Sequence, residues 1–286
     1  MKKWILGLVI AISVPALACD IDGITGFAPE NDLNISTSQK SINGIDEAQF
    51  NAVIDEVKAI YEPIIINNGD KMVINRKWED GTVNASAQRI GKKVIINMFG
   101  GLARHNLITR DGFAIVMCHE LGHHLGGAPK IGGWMNKWAS NEGQSDYFAT
   151  LKCFRKVYFN DNNLEKVSKM DIDPVVEAKC NAQWTNADEA ALCKRSAMAA
   201  KSTADLLASL RRSDAPKFDT PDANVVSRTN NRHPAAQCRL DTYFAGSLCD
   251  KDMNEDVSQD DPIIGTCSRT DGYQTGLRSL CWYKPE

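Results

Sequence analysis

Residues 113–127 have the sequence FAIVMCHELGHHLGG, with three histidines in six positions and a glutamate directly after the first. Thr109 or Asp111 can cap a helix before this stretch, and Gly126 and Gly127 can end it. The pattern predicts a helix of about fifteen residues, an ordinary length for a globular protein, with HELGHH in its last two turns. Histidines so closely spaced raise the question of a metal site.

His119 and His123 are four residues apart, so they lie on one face of the predicted helix and their rings converge. Two neutral imidazoles at this spacing suit Zn²⁺. Glu120 lies beside them, where it could act as general base by taking a proton from a zinc-bound water. His124 points about 100° away round the helix, so we leave it out of the site. A surface helix could carry H-E-x-x-H by chance, but the caps and the apolar residues of this helix favour a functional motif.

A catalytic zinc ion takes three protein ligands and keeps one position open. Glu142, in the segment NEGQSD, belongs to a second predicted helix that starts near Asn141. Asp146 lies one turn further on the same face, where it could accept the free N–H of a zinc-bound histidine. The alternative for Glu142 alone is a solvated acid in the first turn of a helix, where acids are favoured. We predict one zinc ion per chain, bound by His119, His123 and Glu142.

The remaining pattern predicts an α+β fold that is mainly helical. From Asp46 onward, apolar residues recur at helical spacing, and Pro63 is predicted to end that helix. Three short β-like runs follow and predict a small antiparallel sheet. They span residues 71–78, 81–90 and 92–98. Further helices are predicted at 174–181 and 186–212.

Residues 1–18 have the features of a secretory signal peptide, with Lys2 and Lys3 before an apolar run and an A-x-A site that ends at Ala18. This run is too short for a comfortable transmembrane helix, and no second long apolar segment follows, so no transmembrane body is expected. The mature protein is therefore predicted to be exported, either periplasmic or secreted. The alternative is a lipoprotein anchored through Cys19 and facing the periplasm, because a cysteine follows the cleavage site directly.

Nine cysteines occur in the chain, and none belongs to a C-x-x-C pair. In an exported protein they indicate disulfides rather than a zinc finger. If Cys19 is lipidated or free, eight remain, enough for four bridges. Pairing cannot be deduced from spacing, although Cys180 with Cys193 is the simplest choice. We expect Cys118 to be buried or bridged to Cys153 or to another helix.

The combination of HELGHH with NEGQSD resembles the zinc site of gluzincin metallopeptidases. Flanking residues narrow this resemblance to the CAAX-prenyl-protease and Oma-type family, over about residues 45–240. The matching positions are Asn84-Ala85, residues 94–102, Arg110-Asp111, His233-Pro234 and Arg239. Membrane-spanning members of that family have several hydrophobic helices that this chain lacks, so it looks like a soluble, exported form.

The resemblance implies a zincin-like fold and roles for residues outside the metal motif. The strand with Asn84 and Ala85 would bind the substrate backbone as an added β-strand. His233 would donate a hydrogen bond to the oxyanion of the reaction. Arg239 would position His233 or support the residues around the zinc. Asn84 as a plain turn residue and His233 as a plain loop residue are the alternatives.

Two parts of the mature chain are predicted: a zinc metallopeptidase domain over residues 19–240 and a disulfide-stapled extension over residues 241–286. The extension is rich in cysteine and turn residues and lies outside the family resemblance. The formal net charge of the chain is only −3, so no polyanionic partner is implied, and no basic run indicates nucleic-acid binding.

The predicted function is that of an exported zinc-dependent endopeptidase acting on protein or peptide segments in extended conformation, for example in protein quality control. Two alternatives stay open. One is a non-catalytic, zinc-containing binding or chaperone-like module. The other is a zinc amidase that acts on cell-wall peptides.

Overall fold

The computed structural model describes residues 24–39, 44–132 and 137–285. The predicted signal peptide (residues 1–18) and the predicted anchor position Cys19 lie outside these ranges. Within them, no helix is both long enough and apolar enough to cross a membrane. The fold is α+β and largely helical, with a small sheet packed on one side of the central helices.

The sheet is mixed, and not antiparallel as predicted. Its four strands in the described residues are β1 (Ile24–Gly26), β2 (Lys71–Lys77), β3 (Ala85–Ile90) and β4 (Lys93–Phe99), in the order β1-β3-β4-β2. β3 and β4 form an antiparallel hairpin, but β4 then inserts between β3 and β2 and runs parallel to β2. β1 adds antiparallel to β3 on the other side, in a region that the sequence analysis did not assign to a strand.

Helix α1 (Glu47–Asn67) runs through Pro63, where the sequence predicted its end. Asp46 caps the helix as predicted, since its side chain accepts from the backbone N–H of Gln49. A proline removes only one N–H donor from a helix and crowds the preceding turn. Here the next turn is held in place by Ile65, which is 1 % exposed and belongs to the core, so burial offsets the proline's cost.

The central helix is α3 (Arg110–Leu125), in which residues 112–124 are buried without interruption. It packs against α1, against α8 (Ala187–Leu210) and against the sheet strands β3 and β4. It also packs against α4 (Glu142–Phe148), which continues as a π-helical segment (Ala149–Phe154) and then as α5 (Arg155–Tyr158). Because α3 touches all these elements, its position is fixed from every side.

Shorter helices complete the fold. They are α2 (Gly100–Ala103), α6 (Asn163–Val167), α7 (Pro174–Gln183) and α9 (Ala236–Leu248). α7 and α8 correspond to the two helices predicted at 174–181 and 186–212. Residue 240, where the predicted main domain ends, lies inside α9. The segment without regular secondary structure begins after that helix.

Four disulfides link the described cysteines: Cys118–Cys153, Cys180–Cys193, Cys238–Cys281 and Cys249–Cys267. The pairing of Cys180 with Cys193 and that of Cys118 with Cys153 are confirmed. The last two bridges attach the cysteine-rich C-terminal segment to α9 and to itself. The extension is therefore covalently tied to the main body.

The C-terminal extension packs directly on α4. Trp282 is fully buried and lies so close to Gly143 that a side chain there would collide with the indole ring. Arg278 donates from Nε to the Gln144 side chain at 2.7 Å, and the Tyr147 hydroxyl donates to the carbonyl of Gly276. Through these contacts the extension braces the helix that carries Glu142.

Candidate metal centre

Helix α3 places His119 and His123 in the middle of the protein. Thr109 caps the helix by accepting from Gly112 N–H at 3.0 Å, and Gly126 is its C-terminal cap. Both histidines are 0 % exposed, and their ring centroids are 4.7 Å apart. The Nε2 atoms of both rings have no hydrogen-bond partner in the described part of the chain.

Glu142 reaches these nitrogens from the start of α4. Asn141 caps α4 through the N–H of Gln144, which fixes Glu142 in the first turn. The Glu142 oxygens lie 3.3 Å from His119 Nε2 and 3.6 Å from His123 Nε2. One donor atom from each of the three residues can be chosen so that all lie within 4.8 Å of one another.

A glycine permits this approach of α4 to α3. A Cβ at Gly122 would lie 2.9 Å from the Cα and the carbonyl oxygen of Ser145, so any side chain at position 122 would push the helices apart. Gly122 is the x residue directly before the second histidine of the motif. The glycine in HELGH therefore sets the distance between the helix that carries both histidines and the helix that carries Glu142.

Each histidine is oriented by a hydrogen bond at its other nitrogen. His123 Nδ1 lies 2.8 Å from the backbone carbonyl of Ser140, and because a carbonyl only accepts, Nδ1 must carry the proton. Its Nε2 is then the nitrogen with a free lone pair. Burial also lowers the pKa of His123 to about 4, which keeps the ring neutral. His119 Nδ1 lies 2.7 Å from Asp146 Oδ1, which is the carboxylate contact that the sequence predicted.

Asp146 is held by Arg239 from α9. Arg239 donates to the two Asp146 oxygens at 2.7 and 2.6 Å, and both side chains are buried. Arg239 also donates to Tyr243 Oη at 3.2 Å and to the carbonyl of Phe27 at 2.7 Å. The resemblance implied that Arg239 either positions His233 or supports the residues around the zinc. Its contacts agree with the second role, because they reach Asp146 and His119.

Glu120 differs from the other carboxylates of the site in that both of its oxygens lack a hydrogen-bond partner among the described residues. It is 0 % exposed. Burial, opposed by His119 and reinforced by Glu142, raises the pKa of Glu120 to about 8. Glu142 behaves differently: burial works against its charge, but His233, His123 and His119 hold its pKa well below the usual value.

His233 is partly exposed beside Glu142, and Asn84 directly precedes β3. His233 Nε2 is 3.3 Å from Glu142 Oε2 and 2.7 Å from the carbonyl oxygen of Gly26. The predicted free edge at Asn84 and Ala85 is not free. The chain's own Phe27 and Ala28, which directly follow β1, bind there and continue the pairing of β1 with β3.

The donor set fits a zinc ion. Two imidazole nitrogens and one carboxylate are the ligands of many catalytic zinc sites, and such sites leave a further position open. Within residues 24–39, 44–132 and 137–285, the buried atoms His119 Nε2, His123 Nε2 and Glu142 Oε2 have no hydrogen bonds, which is costly unless a metal or another group binds them. A second cluster of possible ligands, around Asp222, contains the disulfide-bonded Cys238 and Cys281, whose sulfurs cannot act as thiolate ligands.

Some contributors to the site have no recognisable sequence pattern. Ser140 acts through its backbone carbonyl, which any residue could supply, and Phe27 comes from a segment for which the sequence predicted no helix or strand. Tyr243 could have been found, because it follows Arg239 by one helical turn.

No protein-family model, curated protein or solved structure matches this chain. The centre is therefore interpreted from its own atoms. The centre combines three converging donor atoms, a second glutamate beside them and a buried arginine–aspartate pair behind one histidine.

Zinc should stabilise the fold strongly. At a free concentration a thousand times the dissociation constant, one bound ion contributes about 4 kcal/mol, which raises the melting temperature of a protein of this size by roughly 10 °C. Differential scanning fluorimetry with and without zinc measures this shift. Glu142→Gln should remove most of it. His124→Gln should keep it, because His124 stacks on Trp138 and is not part of the donor cluster found among the described residues. An equal shift in both variants would contradict the ligand assignment.

Proposed function

We propose that this protein is a zinc-dependent endopeptidase of the gluzincin type. The proposal is carried by one observation: the convergent donor atoms of His119, His123 and Glu142 lie beside Glu120, a buried carboxylate with no hydrogen-bond partner in the part of the chain that the structure describes. A purely structural zinc site has four protein ligands and gains nothing from such a group. Leaving a buried carboxylate unpaired costs stability, which is a common sign of a functional role.

The residues of the site have different roles in the proposed reaction. A zinc ion in this site would lower the pKa of a water and polarise a peptide carbonyl. Glu120 accepts the proton of the attacking water and passes it to the leaving amine. His233 donates from Nε2 to the oxygen that becomes negative, a role that its 2.7 Å contact with a peptide carbonyl illustrates. Asp146 and Ser140 keep the two histidine rings in orientation.

Export is part of the proposal. Four disulfides are typical of proteins in an oxidising compartment, which agrees with a signal peptide at residues 1–18. We propose a periplasmic or secreted protein, with an anchor at Cys19 as the alternative. The substrates proposed are unfolded protein segments or peptides, since these can be bound in extended conformation.

The test is cleavage of unfolded casein by the purified mature protein. We expect one zinc per chain, loss of cleavage after removal of the metal by a chelator, and recovery when zinc is added back. Glu142→Ala should lose both zinc and cleavage. If the protein holds zinc but cleaves cell-wall peptides and no protein, the amidase is the better assignment. Cleavage that survives metal removal would overturn the proposal.

A further inference from the structure

The outer edge of β3, on the side of the metal centre, is covered by the chain's own residues 24–28. Ile24, Thr25 and Gly26 pair antiparallel with Gln88, Ala87 and Ser86. Phe27 N–H donates to the carbonyl of Ala85 at 3.0 Å. Ala28 N–H donates to the Asn84 side chain at 2.9 Å, and that side chain donates back to the Ala28 carbonyl at 3.2 Å. An extended peptide added to a sheet edge makes the same kind of ladder.

The same short segment also contacts the residues around the metal. The Gly26 carbonyl accepts from His233 Nε2, which is itself 3.3 Å from Glu142 Oε2. The Phe27 carbonyl accepts from Arg239 at 2.7 Å. The Phe27 ring is fully buried and stands edge-on to the His119 ring, with centroids 5.4 Å apart. Ordinary packing of a strand on a sheet does not require its carbonyls to bind the polar side chains of a reaction centre.

We propose that residues 24–28 are a self-bound peptide that occupies the place of the substrate and masks the centre until it is displaced. This inference rests on the proposed function. The Gly26 carbonyl then occupies the position of the substrate carbonyl to which His233 donates. The bond between Gly26 and Phe27 corresponds to the cleaved bond, and Phe27 lies on its leaving-amine side. Preferred substrates are accordingly extended peptides with a large apolar side chain directly after the cleaved bond.

Displacement of the segment does not need the protein to unfold. The chain is anchored again further on, where Asn34 forms a β-bridge with Thr82 and Ile35 N–H donates to Gly81 at 2.8 Å. Between the two anchored parts lie residues 29–33, in which the Asn31 side chain donates to the Val83 carbonyl at 3.2 Å and Leu33 is 43 % exposed. Local opening of a terminal segment while the core stays folded is common in proteins. Residues 24–28 can therefore leave while residues 34 and 35 stay bound.

The test weakens the strand in the full mature chain. Because Phe27 N–H points at β3, the N–H two residues earlier points the same way, and Thr25→Pro removes it. Thr25→Ala is the matched control, since it loses the same side chain and keeps the N–H. The probe is a fluorescent peptide with the sequence of residues 20–30, DIDGITGFAPE, added to zinc-loaded protein. All proteins in this binding assay carry Glu120→Gln so that the probe is not cut.

By fluorescence anisotropy, Thr25→Pro should bind the peptide at least ten-fold more tightly than Thr25→Ala, because the internal strand no longer competes. A peptide with alanine in place of Phe27 should lose at least ten-fold of that affinity, since the phenylalanine side chain is the buried part. Without Glu120→Gln, Thr25→Pro should cleave casein at least ten-fold faster than Thr25→Ala.

The two assays separate this inference from the proposed function. Tighter peptide binding by Thr25→Pro, with no casein cleavage by any protein, supports the self-bound strand and overturns the endopeptidase. Equal peptide binding and equal casein cleavage by Thr25→Pro and Thr25→Ala overturn the self-bound strand and leave the endopeptidase standing.

Discussion

Glu120→Gln should lower the rate of casein cleavage by a factor of about 10² to 10⁴, the usual contribution of a general base, while the zinc content stays the same. Glutamine has nearly the shape of glutamate but cannot accept the proton of the attacking water. Glu120 contributes no atom to the converging donor set, so its replacement leaves the metal ligands untouched. The measurements are steady-state cleavage of casein and zinc analysis of the same protein samples.

The melting temperature of Glu120→Gln should be close to that of the unchanged protein. Glu120 has no hydrogen-bond partner among the described residues, so its removal breaks none, and the melting temperature should not fall by more than a few degrees. Glu47→Gln, on the exposed first turn of α1, is the matched control and should leave cleavage unchanged. Full cleavage by Glu120→Gln would remove Glu120 from the mechanism, even if zinc were still required.

Arg239→Met should destabilise the protein by about 3 to 5 kcal/mol, because it leaves the buried Asp146 carboxylate without its cation. Both side chains are buried, and the arginine donates two hydrogen bonds to this one carboxylate. Arg239 also donates to the carbonyl of Phe27, so the loss extends to the strand that covers the centre. Chemical denaturation measures the change. Arg228→Met, at an exposed position, should have little effect.

A double-mutant cycle with Asp146→Asn sharpens this prediction. Asp146→Asn removes the charge that Arg239 neutralises, so the double variant should be less destabilised than the sum of the two single variants. Asp146→Asn should also weaken zinc binding by about 10- to 100-fold, as loss of a carboxylate behind a metal-binding histidine usually does. Strict additivity of the two stability changes would mean that Arg239 does not act through Asp146.

The helix at the centre of the fold was the most predictable part of this structure. Its cap at Thr109, its end at Gly126 and its apolar residues are local features, which depend only on residues that are neighbours in the sequence. The contact between Asp146 and His119 was also within reach. Helical spacing placed Asp146 on the same face as Glu142, although nothing local required the two helices to meet.

The sequence predictions were wrong where the structure depends on contacts between segments that are distant in sequence. Residues 24–26 form a strand only because β3 offers a free edge, and a three-residue strand in a polar segment has no periodicity to detect. The parallel pairing of β2 with β4 depends on which edge of the β3–β4 hairpin lies against β2. Pro63 is tolerated inside α1 because Ile65 is buried, which depends on the core and not on the helix itself.

The π-helical segment at residues 149–154 has a consequence for changes in chain length. It separates the ligand-bearing turns of α4 from α5, where Arg155 donates to the carbonyls of Cys249 and Lys251 at 2.9 and 3.0 Å. Each residue of an α-helix turns the chain by about 100°. A deletion of one residue within 149–154 would therefore leave Glu142 in place and swing Arg155 away from these carbonyls. Insertions and deletions here should weaken the contacts of Arg155 with the C-terminal extension before they displace Glu142.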